Sequence, residues 1–97
     1  NPNARGIEIY ASKTQAEFSK ESVFVGYQIE KTLCAAIGYE SRGVKFANFQ
    51  VLRETVGYCP SVLLELGFLS NEDEGNYISS YVNIKQIAST ILKSIEL

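Results

Sequence analysis

The feature that most constrains this chain is Val62-Leu63-Leu64-Glu65-Leu66-Gly67-Phe68-Leu69, an apolar run interrupted by one carboxylate. Its first part, with Ser61 in front, is the most apolar strand candidate in the sequence. A near-continuous apolar run of this kind reads as a central parallel strand covered on both faces. Such a strand needs helices on either side, so the run alone points to a layered α/β domain. It also isolates Glu65, because a bare charge in an apolar strand costs several kcal/mol unless it is paired, hydrogen-bonded or neutralised.

The rest of the sequence alternates accordingly. Ile7-Glu8-Ile9-Tyr10-Ala11 predicts a short β-branched and aromatic strand. Ser12 to Ser22 is polar and contains Thr14-x-x-Glu17, a capping-box pattern, so a helix is expected to begin there or a few residues later. From about Ser22, the positions Val25, Ile29, Leu33, Ala36 and Ile37 share one helical face, and Gly38 is placed to end that helix. Tyr39 to Gly43 reads as a loop. Within Val44 to Arg53, the alternation of Phe49, Val51 and Arg53 predicts a strand over Asn48–Arg53. Gly57-Tyr58-Cys59-Pro60 is a turn. Ser70 and Asn71 are candidate caps for a helix whose first turn holds Asp73 and Glu74. Ile84, Ile87, Ala88, Ile91, Leu92 and Ile95 form the apolar stripe of a last helix, with Asn83 as its cap. The expected fold is α/β, a layered and mostly parallel sheet flanked by helices, present here as a partial domain.

Composition narrows the chemistry more than the fold. The 97 residues carry a net charge of −2, so no bulk positive field attracts nucleic acid, and no apolar run reaches the ~20 residues of a membrane span. Histidine is absent. That excludes histidine acid–base catalysis, histidine-activated nucleophiles and a histidine metal site built from this chain alone. Methionine is also absent and the sequence opens Asn1-Pro2-Asn3, so the chain is expected to be a piece of a longer product, with any leader lost. Cys34 and Cys59 form no metal-binding pair, and the expectation is two unpaired thiols with Cys34 on a helix. No glycine-rich phosphate loop occurs.

Glu65 therefore stands out. Gly67 lets the backbone turn at the end of its strand, where ligand crevices of open α/β sheets lie, and an acid/base carboxylate there would draw its pKa from apolar walls. The alternative is a structural carboxylate paired with Arg42, Lys45 or Arg53. Glu8, between two isoleucines, is expected to face solvent on the polar side of its strand. Arg42, Lys45 and Arg53 are candidates to gather at one edge and hold a ligand carboxylate, or else are solvated surface charges. Tyr58, Phe68 and Tyr77 either line a groove or pack in the core.

At Glu65 the sequence also meets a family pattern. Pro60-Ser61-Val62-Leu63-Leu64-Glu65-Leu66-Gly67-Phe68-Leu69-Ser70-Asn71 resembles the closing motif of the zinc-dependent N-acetylmuramoyl-L-alanine amidases, cell-wall hydrolases. Asn3-Ala4-Arg5-Gly6-Ile7-Glu8-Ile9-Tyr10 is similar to the strand after that family's zinc-binding histidine. Arg42-Gly43-Val44-Lys45 and Val51-Leu52-Arg53 resemble its middle, and Ile87-Ala88 with Ile91 its final helix. The resemblance implies that residues 1–97 are the C-terminal half of such a catalytic domain, secreted or periplasmic, acting on peptidoglycan. It implies cleavage of the amide between N-acetylmuramic acid and the L-alanine of the stem peptide. It implies a zinc whose two histidine ligands and one glutamate ligand lie upstream of this chain. Glu65 then matches the general base, taking a proton from the zinc-polarised water and returning it to the leaving amine. Alone, the chain is expected to be inactive. The competing expectation is a non-catalytic wall-binding or regulatory half-domain.

Overall fold

The computed structural model describes residues 6–67, 72–78 and 80–95. Seven elements follow in order: β1 (Ile7–Ser12), α1 (Ser19–Ile37), β2 (Ser41–Ala47), α2 (Gln50–Thr55), β3 (Leu63–Glu65), α3 (Glu72–Ile78) and α4 (Tyr81–Ser94). The sheet has order β2-β1-β3, with β1 central. Strand β2 runs parallel to β1 after the α1 crossover, and β3 runs antiparallel to it, so the sheet is mixed. The layered α/β class is as expected from the sequence.

The core forms where one face of β1 meets α1. Ile7 and Ile9 are fully buried against Ile29 and Leu33 of α1 and Ile87 of α4. The helix comes this close because Gly26 carries no side chain. A Cβ there would sit 3.0 Å from Ile9 Cγ2 and 3.3 Å from Val62 Cγ1. Helix α1 starts at Ser19, beyond the Thr14-x-x-Glu17 pattern, and no side chain caps it. It ends as its sequence predicts, with Gly38 in the left-handed region and its N–H donating to the Cys34 carbonyl.

Four expectations need correcting. The strand predicted over Asn48–Arg53 is instead the short helix α2, because Leu52 and Val56, four apart, are the positions that bury while Val51 stays exposed. The strand lies earlier, over Ser41–Ala47, partly within the stretch read as a loop. The apolar run around Leu64 supplies only the three-residue β3, half-buried and at a sheet edge, rather than a central parallel strand. Asn83 lies inside α4, whose N-cap position is Ser80. Ser70 and Asn71, read as caps, lie outside the described residues, as does the Asn3-Ala4-Arg5 stretch.

On α4 the apolar stripe is only partly used. Ile87 is buried, whereas Ile84 and Leu92 are 50% and 62% exposed and Val82 and Ile95 are also exposed. An uncovered apolar face of this kind favours association. Residues 1–97 produced alone are expected to self-associate or to melt without a sharp cooperative transition. Sedimentation velocity and calorimetry check this, and a monomer with a sharp melt would contradict it.

Candidate active site

Strand β1 has two unlike faces. Ile7, Ile9 and Ala11 point to the α1 side, and alternation sends Glu8, Tyr10 and Ser12 to the other. In the β1–β3 ladder Glu8 lies opposite Glu65 and Tyr10 opposite Leu63, so Glu8 and Glu65 share a sheet face. Two carboxylates placed directly across from one another repel unless one is neutralised.

Glu8 is the one neutralised. It is 5% exposed, and its Oε1 accepts from Lys45 Nζ at 2.7 Å and from the Tyr10 hydroxyl at 2.8 Å. Its Oε2 accepts from Arg42 Nε at 3.1 Å. Burial by itself would push the Glu8 carboxyl up. The hydrogen bonds from Lys45, Tyr10 and Arg42, with the Lys45 charge, outweigh it and hold Glu8 below the ordinary carboxylate value. The same contact raises Tyr10, through its hydrogen bond to Glu8 first, then burial, then the charges of Glu8 and Glu65. Tyr10 is fixed further by an edge-on contact with Phe49, ring centroids 5.3 Å apart.

Arg42 and Lys45 are three apart and would fall on opposite faces of a regular strand. A bulge brings them together. Ile7 pairs with Ser41 and Ile9 with Val44, so two residues of β2, Arg42 and Gly43, oppose Glu8 alone. Gly43 takes φ +88°, which favours glycine, and the amides of Arg42 and Gly43 both donate to Glu30 Oε1, at 3.1 and 3.0 Å. Glu30 is a buried carboxylate on α1, so a helix side chain secures the irregularity.

Glu65 ends β3, half-buried, and no hydrogen bond or ion pair reaches its carboxylate among the described residues. The cations considered as its structural partners are elsewhere. Arg42 and Lys45 hold Glu8, and Arg53 donates to Asn48 Oδ1 at 2.8 Å. Two residues beyond Glu65 the chain turns at Gly67, with φ +135°. A Cβ on Gly67 would lie 3.0 Å from Glu74 Oε1, and the other oxygen of that buried carboxylate accepts the Gly6 amide at 2.7 Å. Glu74 thus joins the entry to β1 and the exit from β3, the backbone on both sides of the Glu8–Glu65 pair.

The structure therefore gathers two of the three proposed cations and leaves Arg53 apart. It corrects the expectation that Glu8 faces solvent: the residue is buried because Arg42, Lys45 and Tyr10 cover it. Glu30 and Glu74 went unrecognised. Tyr58 is 84% exposed and so not part of the core, while Phe68 and the Tyr77 side chain lie outside the described residues. Cys34 and Cys59 are free. Burial, and then the Glu30 charge, push the Cys34 thiol up, away from a reactive thiolate. A cavity of about 500 Å³ lies between α1 and β2, lined by Tyr27, Glu30, Cys34 and Val44 among others, with no residue of β3. Among the described residues no group of three histidine, cysteine, aspartate or glutamate side chains is placed to hold a metal ion.

Residues 1–97 match the sequence profile of the N-acetylmuramoyl-L-alanine amidases. An uncharacterized cell wall amidase of Bacillus anthracis is 38% identical over 82% of this chain and 15% of its own length. The N-acetylmuramoyl-L-alanine amidase of Clostridium difficile 630 superposes with a TM-score of 0.85 at 26% identity, over 98% of this chain and 48% of that one. The catalytic domain of CwlV, an N-acetylmuramoyl-L-alanine amidase from Bacillus (Paenibacillus) polymyxa var. colistinus, gives 0.78 at 30% identity, over 98% and 49%. The chain thus spans about half the length of these solved structures.

The state of Glu8 makes a pH dependence. Its carboxyl sits below the ordinary 4.5 in the folded protein, so it stabilises the fold fully above that value and stops doing so as the pH falls through the lower folded value. Stability in acid is expected to decline below about pH 4.5, and Glu8→Gln should flatten that limb while lowering stability at pH 7. Denaturant midpoints from pH 7 to 3 measure both.

Proposed function

Since the chain belongs to the N-acetylmuramoyl-L-alanine amidase family, we propose that it is the C-terminal half of a peptidoglycan amidase domain and carries that enzyme's general base, Glu65. The bond cleaved would be the amide between N-acetylmuramic acid and the L-alanine of the stem peptide, and the site of action the cell envelope. The observation that carries the reading is the placement of Glu65. It is a half-buried carboxylate at a strand end, unclaimed by any described partner, next to an acidic neighbour whose charge is fully compensated.

Amide hydrolysis needs a group that accepts a proton from the attacking water as the carbon–oxygen bond forms. It must then deliver that proton to the amine nitrogen as the carbon–nitrogen bond breaks. A carboxylate already tied to Arg42 or Lys45 would be a poor acceptor, and in this sheet those cations are committed to Glu8. The Gly67 turn, packed on Glu74, keeps the strand end in place, and such positioning is itself a large part of catalysis.

Zinc is implied by the family, but the described residues gather no ligand set for it. The chain has no histidine, and no cluster of three other donors occurs among the described residues. The histidine ligands of a zinc site would therefore lie outside residues 1–97. The isolated chain is expected to bind zinc no better than weakly, and tight one-to-one binding by calorimetry would contradict this.

The decisive variant is Glu65→Gln in the intact protein that contains this chain. It keeps volume and hydrogen bonding but cannot relay a proton at neutral pH. Its kcat for release of stem peptide from peptidoglycan is expected to fall about 10²–10⁴-fold, with metal content and melting temperature little changed. A structural Glu65 would instead lower the melting temperature, with residual activity following the folded fraction. Near-normal turnover in a folded, metal-loaded variant would reject the assignment.

A further inference from the structure

The cavity of about 500 Å³ between α1 and β2 has a volume within the range of small-molecule sites. It lies on the other side of the sheet from Glu65, since Val44 in its wall pairs with Ile9, which points to the α1 side. Most of the lining is apolar, supplied by Tyr27 and Cys34 of α1 and by Val44. Two charged residues interrupt it, Glu30 and Lys31.

Glu30 has accepting capacity to spare. It is 3% exposed, and the two amides it holds, those of Arg42 and Gly43, both donate to Oε1. Among the described residues no donor meets Oε2. Gly43 lines the cavity as Glu30 does, so the carboxylate head stands at the cavity wall. A buried carboxylate with one oxygen unpaired is costly, and a cation placed there lowers the cost. Lys31 does not supply it. Adjacent positions on a helix do not face each other, and Lys31 is exposed with no ion pair among the described residues. The cavity therefore offers a fixed buried anion, an ammonium on a flexible stem, and apolar wall around them.

We infer that this cavity binds a short apolar peptide with both ends free. The peptide ammonium donates to Glu30 Oε2, its carboxylate accepts from Lys31, and its side chains lie against Tyr27, Cys34 and Val44. Size decides between a peptide and a single amino acid, which carries both charges but leaves much of 500 Å³ empty. Charge-assisted hydrogen bonds of this type are the strong ones, and losing one is worth about a tenfold change in affinity. The β2 wall is the outer strand of the sheet, and Glu30 already holds two of its amides, so a further strand finds a poor template there. The inference stands apart from the amidase reading, although cutting a muramoyl–alanine bond releases a peptide with a free amino end.

The test titrates the intact protein that contains this chain with alanyl-leucine in a calorimeter. One-to-one binding is expected, weakened about tenfold when the amine is acetylated and about tenfold when the carboxylate is amidated. Equal affinity for all three peptides, or no binding of the free one, would overturn the inference without any variant having to fold. Free leucine is expected to bind more weakly than alanyl-leucine, and tighter binding of leucine would reject the peptide in favour of an amino acid. Lys31→Gln should weaken alanyl-leucine about tenfold and leave its amide unchanged, whereas equal losses on both would mark Lys31 as structural and reject its role. Location is read from the two free thiols, because Cys34 lines the cavity and Cys59 does not. Bound peptide should slow alkylation of Cys34 and not of Cys59, measured peptide by peptide in a mass spectrometer, and binding without that protection would place the ligand elsewhere. Glu65→Gln should bind alanyl-leucine as the wild-type protein does, so the general-base assignment can fail while this one stands.

Discussion

Everything on the polar side of this sheet depends on how Glu8 is kept charged while buried. A carboxylate with so little contact with water survives there only because an ammonium, a guanidinium and a phenol all donate to it. Remove that compensation and the adjoining strand faces two like charges at one register position. With it in place, Arg42 and Lys45 are bound to Glu8, and no described residue pairs with Glu65. The arrangement divides two acidic residues of one rung into one held by donors and one with no described partner, by neighbours rather than by intrinsic properties.

Two further buried carboxylates do related work on the backbone. Glu30 reaches from α1 to two consecutive amides of β2, and Glu74 reaches from α3 to the amide that precedes β1. Each satisfies donors that no strand ladder takes, which matters because an unpaired buried amide is costly. In a chain whose sheet has three strands and whose third strand is three residues long, such links hold irregular backbone that ladder hydrogen bonds do not.

The sequence made the layered class, helix α1 with its Gly38 stop and the Gly67 turn legible, because each rests on local periodicity or on a glycine at a forced conformation; the family pattern was legible as a resemblance of ordered motifs. What escaped it was long-range. Alternation at Phe49, Val51 and Arg53 fits a strand as well as Leu52 and Val56 fit one helical turn, and only packing decides between them. The direction and edge position of β3 are invisible in an apolar run, which reports coverage but not neighbours. Glu8 was misread for the same reason: its burial is set by Arg42 and Lys45, more than thirty residues on, whose shared face depends on a bulge that no strand pattern announces. The prominence of Glu65 was visible from its apolar flanks, and its lack of a partner among the described residues was not.

The bulge in β2 has a consequence for how copies of this chain can meet. An outer strand with consecutive free amides is a template on which another molecule can add a strand, the first step towards fibre growth. In β2 the amides of Arg42 and Gly43 are already bound to a side chain of the same molecule, and the φ of Gly43 breaks the regular spacing that an incoming strand would have to match. Strand-on-strand stacking is therefore obstructed at this rim. The exposed apolar side chains of α4 offer a different kind of contact, between side chains rather than between backbones.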